Sequence, residues 1–216
     1  MKKGVFSGKS YDAAASEAEQ ALGVPRKNLD IKITEEGSKG IFGIGSKAVV
    51  IEASESLDYF VKTFLETLFS KMQLECSVTD CVFCGESMNI TLSAPNPNQV
   101  IGRNAEILDA LQYITNLAVN KRDSSDGESE FVRVTLDIDG YRKRRENAVK
   151  ELALSAARRV LNSGKPVTLP AFNSYERHII HELLDGDPDV ITRSVGEGSQ
   201  RRIVISKSTE LEKTEE

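Results

Sequence analysis

The chain has no tryptophan, only three cysteines and only two histidines among its 216 residues. The cysteines, at positions 76, 81 and 84, are too few and too close together for a disulfide framework, which favours a reducing compartment. No apolar run approaches the roughly 18 residues that cross a bilayer. The first twelve residues lack the apolar core of a signal peptide. We therefore expect a cytoplasmic protein.

The charge of the chain is unevenly distributed. The whole sequence has a net charge of −5, with 39% hydrophobic and 28% charged residues, which is typical of a globular protein. Residues 57–139 have a net charge of −7, whereas residues 140–209 hold 13 basic and 8 acidic side chains, a net charge of +5. A basic segment inside an acidic protein is where a nucleic-acid partner is expected to bind.

The pattern along the chain predicts an α+β fold of three small α/β domains in series. Residues 1–55 read as strand, helix, strand, strand (βαββ), with Ser10 as helix N-cap and Gly23 as helix stop. Residues 56–139 read as αββααβ, with a helix over 56–72 and another over 105–120. Residues 140–209 combine a small mixed sheet with helices, and 210–216 are a frayed, charged tail.

The pattern most suited to chemistry lies in the basic segment. Arg177 and His181 are four residues apart, so both project from one face of a predicted helix that Asn173 or Ser174 caps. A guanidinium can bind a phosphate through two parallel hydrogen bonds, and an imidazole adds a donor. Downstream, a turn with Gly196 and Gly198 leads to Arg201 and Arg202 at the start of a strand, and we expect its glycines to let a phosphate approach the backbone closely. The alternative interpretation is an ordinary amphipathic helix with a solvated face.

These residues carry a resemblance to known domains. Arg177, three residues, then His181, with the glycine turn and the strand at 201–205, resembles the R-3-H domain, a single-stranded nucleic-acid binder. The middle segment resembles a type II KH domain, whose GxxG loop is Gly102, Arg103, Asn104 and Ala105. The first segment resembles the Jag N-terminal domain through residues 39–45. In this order the three are similar to the Jag (KhpB/EloR) family of bacterial RNA-binding proteins.

The resemblance implies a function and a set of partners. It implies a non-enzymatic protein without cofactor or metal that binds single-stranded RNA, as a post-transcriptional regulator linked to envelope growth and cell shape. It further implies pairing through the KH domain, with itself or with another KH protein. A membrane-associated protein is the implied partner of the N-terminal domain, without membrane insertion.

The middle segment departs from the KH pattern at two points. Ala105 stands where the loop motif has glycine, and we expect alanine to resist a positive φ. The net charge of −7 repels a phosphate backbone. The loop therefore serves either RNA contact or dimerisation. Our hypothesis is that Arg177, His181, Arg201 and Arg202 form one phosphate-binding patch, strengthened between pH 8 and 6 by protonation of His181.

Other interpretations are weaker. A hydrolase using His181 with Glu176 or Glu182 lacks a nucleophile or a third metal ligand. Cys81 and Cys84 point to opposite faces of a strand, so we interpret them as buried or partly buried thiols.

Two further sequence features and one alternative function bear on binding. The glycines at 40–45 lack the Gly-Lys-Ser/Thr ending of a phosphate loop. The four cations at 142–145 are either a solvated helix start or an extension of the nucleic-acid surface. A scaffold that binds only protein, with little RNA binding, is the main alternative function.

Overall fold

The computed structural model describes residues 1–38, 47–121 and 131–208. The predicted glycine motif at 39–45 and the tail at 210–216 lie outside these ranges. Strands and helices of the described residues, in chain order, are β1 (Lys3–Gly8), α1 (Tyr11–Leu22), β2 (Leu29–Glu35), β3 (Val49–Glu55), α2 (Leu57–Met72), β4 (Ser77–Cys84), β5 (Ser87–Ser93), α3 (Pro97–Ile101), α4 (Glu106–Asn120), β6 (Arg133–Ile138), α5 (Tyr141–Ser163), β7 (Val167–Ala171), α6 (Ser174–Leu184), β8 (Val190–Val195) and β9 (Arg202–Lys207).

The described strands form three-stranded sheets, which confirms the predicted α+β class. The strand orders are β1-β3-β2, β4-β5-β6 and β7-β9-β8. In the third sheet β9 pairs antiparallel with both of its neighbours, so the prediction of a mixed sheet there is wrong. The chain divides into two compact units: Met1–Val100 with Ile107–Leu136, and Ile101–Glu106 with the residues from Asp137 onwards. The predicted domain boundaries at 55 and 139 stay predictions.

The first sheet carries α1 on one side. The predicted caps are confirmed, because the Ser10 hydroxyl accepts the Ala13 N–H at 3.3 Å and Gly23 ends the helix in the left-handed conformation. The buried residues of this layer are Ala14, Ala15 and Ala18 of α1 with Ile51 and Ala53 of β3. Small side chains on both elements let the helix lie close to the central strand.

The middle elements follow the predicted order αββααβ. The apolar stripe of α2 is wider than its buried row: Val61, Leu65 and Phe69 are buried, whereas Phe60 and Phe64 are half-buried with their rings stacked at 6.1 Å. The short turn predicted before the glycine loop is α3. The row with Phe60 and Phe64 is therefore an apolar surface of α2 that the described residues cover only in part.

The third sheet places the candidate site. Helices α5 and α6 lie on one face, where Val149, Ala153 and Ile180 form a core with Ile203 and Ile205 of β9. Side chains alternate between the faces of a strand. Arg202, which precedes Ile203, and Val204, which lies between the two isoleucines, therefore point to the face away from the helices.

Candidate nucleic-acid interface

The start of α6 is fixed by a reciprocal cap. The Asn173 side-chain oxygen accepts the Glu176 N–H at 2.8 Å, and the Glu176 carboxylate accepts the Asn173 N–H at 3.2 Å. This capping box satisfies two N–H groups that the helix leaves unbonded. It fixes the first turn, and with it the direction in which the side chains at 177 and 181 project.

Glu176 has a structural partner on the neighbouring helix. It is 5% exposed, and its carboxylate accepts a hydrogen bond from Arg145 Nε at 2.6 Å. The Arg145 guanidinium also lies over the Phe172 ring, 5.8 Å from its centre, and the hydrogen bond to Glu176 raises its pKa. The other candidate carboxylate, Glu182, lies 4.0 Å from His178. The contacts of Glu176 commit its carboxylate to groups other than His181, whereas Glu182 is 75% exposed and is not committed by its 4.0 Å contact with His178.

The basic helix start at 142–145 is also tied into the local structure. The Arg142 N–H donates to Asp137 at 3.0 Å, and the Arg144 guanidinium donates to the Asp139 carbonyl. The Arg142 contact involves its backbone only, whereas the side chains of Arg144 and Arg145 are both held within the protein, which favours a structural interpretation of these two cations.

His181 is held by the edge strand β8 through both ring nitrogens. Nδ1 lies 2.6 Å from the Thr192 hydroxyl, and Nε2 lies 3.0 Å from the Ser194 hydroxyl. A neutral imidazole has one donor and one acceptor nitrogen, and a hydroxyl can match either. The expectation that His181 offers a donor to phosphate is therefore corrected: its ring joins α6 to β8.

The protonation of His181 is disfavoured by its surroundings. Burial, followed by the positive charges of Arg177, Arg201 and His178, lowers the pKa of His181 below 6.5, against an opposing effect of Asp185. A half-buried ring beside two guanidiniums holds a proton poorly. His181 is therefore a neutral support at pH 7 rather than a cation.

Arg177 and Arg201 supply the positive charge around His181. Arg177 donates to the Phe172 carbonyl at 2.7 Å and to the Ser174 hydroxyl at 3.1 Å, which fixes its guanidinium at the start of α6. A guanidinium has five N–H donors, so others can bind a phosphate. We call Arg177, His181 and Arg201 the helix-side cluster.

The turn between β8 and β9 brings Arg201 to this cluster. Gly196 has a φ of +86° and Gly198 a φ of +53°. A Cβ at Gly196 would lie 3.3 Å from the Gln200 carbonyl oxygen, so a larger residue would be both strained and crowded. The predicted glycine turn is confirmed, whereas the expectation that its glycines let a phosphate approach the backbone stays a prediction.

Arg202 lies on the other face of the sheet. It pairs with Val195 in β8, and Arg193 pairs with Val204 in β9. Directly paired residues share a face, so the exposed arginines 193 and 202 stand diagonally on the face away from the helices. The hypothesis of one four-residue patch is wrong in this respect. Arg193 was missed in the sequence, although the alternation of the predicted strand at 190–194 would have placed it there.

The loop of the middle segment adopts left-handed backbone. Gly102, Asn104 and Ala105 have φ values of +73°, +52° and +64°. The expectation that Ala105 resists a positive φ is wrong. Its methyl group is buried, with 6% exposure, so packing holds the alanine in a conformation that favours glycine.

The cysteines are free thiols with unequal exposure. Cys81 and Cys84 lie three residues apart on β4, on opposite faces as predicted. Burial, aided by Asp58 and Asp80, raises the pKa of the Cys81 thiol to about 11. Cys84 is exposed, which corrects the expectation that all three thiols are at least partly buried. Among the residues that the structure describes, no group of three or more His, Cys, Asp or Glu side chains could hold a metal ion.

None of the helices described is both long enough and apolar enough to span a membrane.

The chain is similar to known domain families and to known proteins. The R-3-H domain family model matches residues 147–207, and the Jag N-terminus model matches residues 6–55. An RNA-binding protein KhpB from Clostridium symbiosum is 35% identical over 205 residues, which cover 94% of this chain and 90% of the relative. An RNA-binding protein KhpB from Bacillus subtilis is 30% identical over 211 residues, which cover 95% of this chain and 99% of the relative. The chain therefore belongs to the KhpB family, in agreement with the resemblance found in its sequence.

Proposed function

We propose that the chain is a single-stranded RNA-binding protein that holds the RNA backbone at the helix-side cluster. The observation that carries this proposal is the Arg177 guanidinium, which its hydrogen bonds to the Phe172 carbonyl and the Ser174 hydroxyl hold at the start of α6. Arg201 is exposed and follows the glycine turn after β8, the strand that holds His181, so it adds a second cation to this segment. The charge of Arg177 is therefore ordered before RNA arrives. Ordering in advance reduces the entropy lost on binding.

The charge distribution supports this location. Residues 140–209 have a net charge of +5, whereas residues 57–139 have −7. Phosphate contacts dominate the affinity of proteins for nucleic acids, and a negative surface weakens them. The names of the relatives, RNA-binding protein KhpB, agree with this assignment.

The proposed role is binding without catalysis. Glu176 is committed to Arg145 and to the cap, and His181 to two hydroxyls, so neither is arranged as a general base. The proposed setting is the cytoplasm, which suits three free thiols. The finer role, post-transcriptional control linked to envelope growth and cell shape, rests on family resemblance alone.

A filter-binding titration with mixed-sequence single-stranded RNA tests the proposal. If Arg177 and Arg201 neutralise about two phosphates, log K falls with log salt with a slope of about −1.4 or steeper. Binding with this slope supports the proposal. Absence of binding at low salt contradicts it and favours the scaffold alternative.

A second candidate function is self-association through the middle segment. Tyr113 and Leu117 lie one turn apart on α4 and are 65% and 52% exposed. Two large apolar side chains on one exposed helix face favour a protein contact. We propose that a second copy of the chain covers them. Light scattering at tens of micromolar is expected to show a dimer that Tyr113→Ser disrupts, and a monomeric wild type contradicts this.

A further inference from the structure

A nucleotide-sized pocket lies where β7 ends and β9 begins. Its volume is about 600 Å³, within the range of small-molecule sites. Its lining residues are Arg103, Asn104, Glu106, Thr168, Leu169, Pro170, Ala171, Gln200 and Arg202. All nine belong to the second compact unit, which includes the loop at 101–106.

The lining groups match the parts of a nucleotide. Arg103 and Arg202 supply two guanidiniums for a phosphate. Asn104 and Gln200 supply amides that both donate and accept, as the edge of a base requires. Glu106 is the one carboxylate among the lining residues, and it repels phosphate but accepts hydrogen bonds from sugar hydroxyls or base amino groups. The pocket therefore holds groups suited to a phosphate together with groups suited to the sugar or base.

The backbone of the loop adds an independent observation. Asn104 and Ala105 both have positive φ, next to Gly102. Strained backbone of this kind persists where the surroundings hold it, and it is concentrated at binding sites. Here it holds the segment that brings Arg103 and Asn104 to the pocket.

The pocket and the helix-side cluster lie at the same end of the sheet. Arg201 is close enough to His181 for its charge to lower the pKa of the imidazole, and Arg202, the next residue, lines the pocket. A strand of RNA that crosses the start of β9 therefore meets one arginine on each side. This continuity favours a nucleotide of a polymer over a free anion.

We propose that this pocket holds one nucleotide of the RNA strand whose backbone binds the helix-side cluster, with its phosphate shared by Arg103 and Arg202. The inference rests on the proposed function and extends it, because the loop joins the same binding surface instead of serving dimerisation alone. Sharing one phosphate makes the two arginines energetically coupled, which separate contacts would not be.

A double-mutant cycle on the full chain tests the proposal. The variants are Arg103→Ala, Arg202→Ala and both together, with Arg158→Ala, an exposed cation on α5, as the matched control. The probe is a fluorescent mixed-sequence single-stranded RNA, titrated at several salt concentrations. Each single variant is expected to weaken binding about tenfold, and the double variant little more. Each is also expected to reduce the magnitude of the salt slope by about 0.7, as for one phosphate.

The outcomes separate this inference from the proposed function. A loss of about a hundredfold in the double variant means two separate phosphates and overturns the shared pocket. Single variants that match Arg158→Ala, while Arg201→Ala still weakens binding, overturn the pocket and leave the proposed function intact. Wild-type chain that binds no RNA overturns both. Circular dichroism of each variant checks that the fold is retained.

Discussion

His181 Nδ1 lies 2.6 Å from the hydroxyl of Thr192, so the histidine of the pair Arg177 and His181 is hydrogen-bonded to the sheet on which α6 packs. With Ser194 on the other ring nitrogen, the imidazole joins α6 to the edge strand β8. The contact explains why the pattern needs a histidine without requiring it to bind a ligand. It leaves the two arginines of the helix-side cluster to carry the charge.

The first prediction is a pH-dependent stability that depends on His181. Its pKa is lowered in the folded chain, so the neutral form stabilises the fold. The contribution is complete above the unfolded value of about 6.5 and is lost as the pH falls below it towards the folded value, by at most about 1.4 kcal/mol per pH unit. We expect the thermal midpoint to fall between pH 7 and 5, and to fall less in His181→Gln.

His178→Gln is the matched control, because His178 is on the same helix and is 74% exposed. It is expected to keep the wild-type pH dependence. Equal pH dependence in His181→Gln and wild type would contradict the lowered pKa.

The second prediction concerns the pair of Arg145 and Glu176. Removing the guanidinium leaves a buried carboxylate with one charged partner fewer, so Arg145→Ala is expected to lower the free energy of unfolding by about 1–3 kcal/mol. Lys150→Ala removes the half-exposed pair with Glu146, which is one helix turn away, and is expected to lower the free energy of unfolding much less, because solvent screens this pair. Chemical denaturation followed by circular dichroism measures both, and equal losses would count against a structural role of Glu176.

The third prediction concerns Ala105. Replacing it with glycine relieves a left-handed alanine, worth about 1–2 kcal/mol, and removes one buried methyl group, worth about 0.8 kcal/mol. Ala105→Gly is therefore expected to be neutral or stabilising by up to about 1 kcal/mol. Ala148→Gly, at an exposed position in the interior of α5, is expected to destabilise by about 1 kcal/mol. Calorimetry of the full chain compares the two variants. A larger loss of stability in Ala105→Gly than in the control would contradict this account of the loop.

Local signals made most of the fold predictable. Ser10 and Gly23 were predicted as caps, because a cap depends on neighbours within one turn, and the structure confirms both. Of the two candidates Asn173 and Ser174, the structure shows Asn173 as the cap of α6. The order of elements followed from apolar periodicity, which also depends on near neighbours. The family followed from spacing within α6 and the turn after β8.

The candidate site was predictable only in part, because its contacts span distant positions. The partners of His181 and Glu176 come from other elements, 11 and 31 residues away. The separation of Arg202 from Arg201 follows from the alternation of side chains along a strand, which the hypothesis of one four-residue patch did not apply to these two neighbours. The predicted rise in RNA affinity between pH 8 and 6 assumed that His181 has the ordinary pKa of a histidine. Its pKa is lowered by groups from other elements, so protonation, and any gain in affinity from it, occurs at lower pH.

The central claim, that the helix-side cluster holds the RNA backbone, is tested most directly at Arg201. It is exposed and follows the turn, so its replacement leaves the hydrogen bonds of Arg177 and His181 in place. Fluorescence anisotropy of one single-stranded RNA compares wild type, Arg201→Ala and the control Arg158→Ala. We expect Arg201→Ala to lose about tenfold in affinity and about 0.7 in the magnitude of the salt slope, with the control within about twofold. An Arg201→Ala variant that binds RNA as tightly as the control would contradict the account.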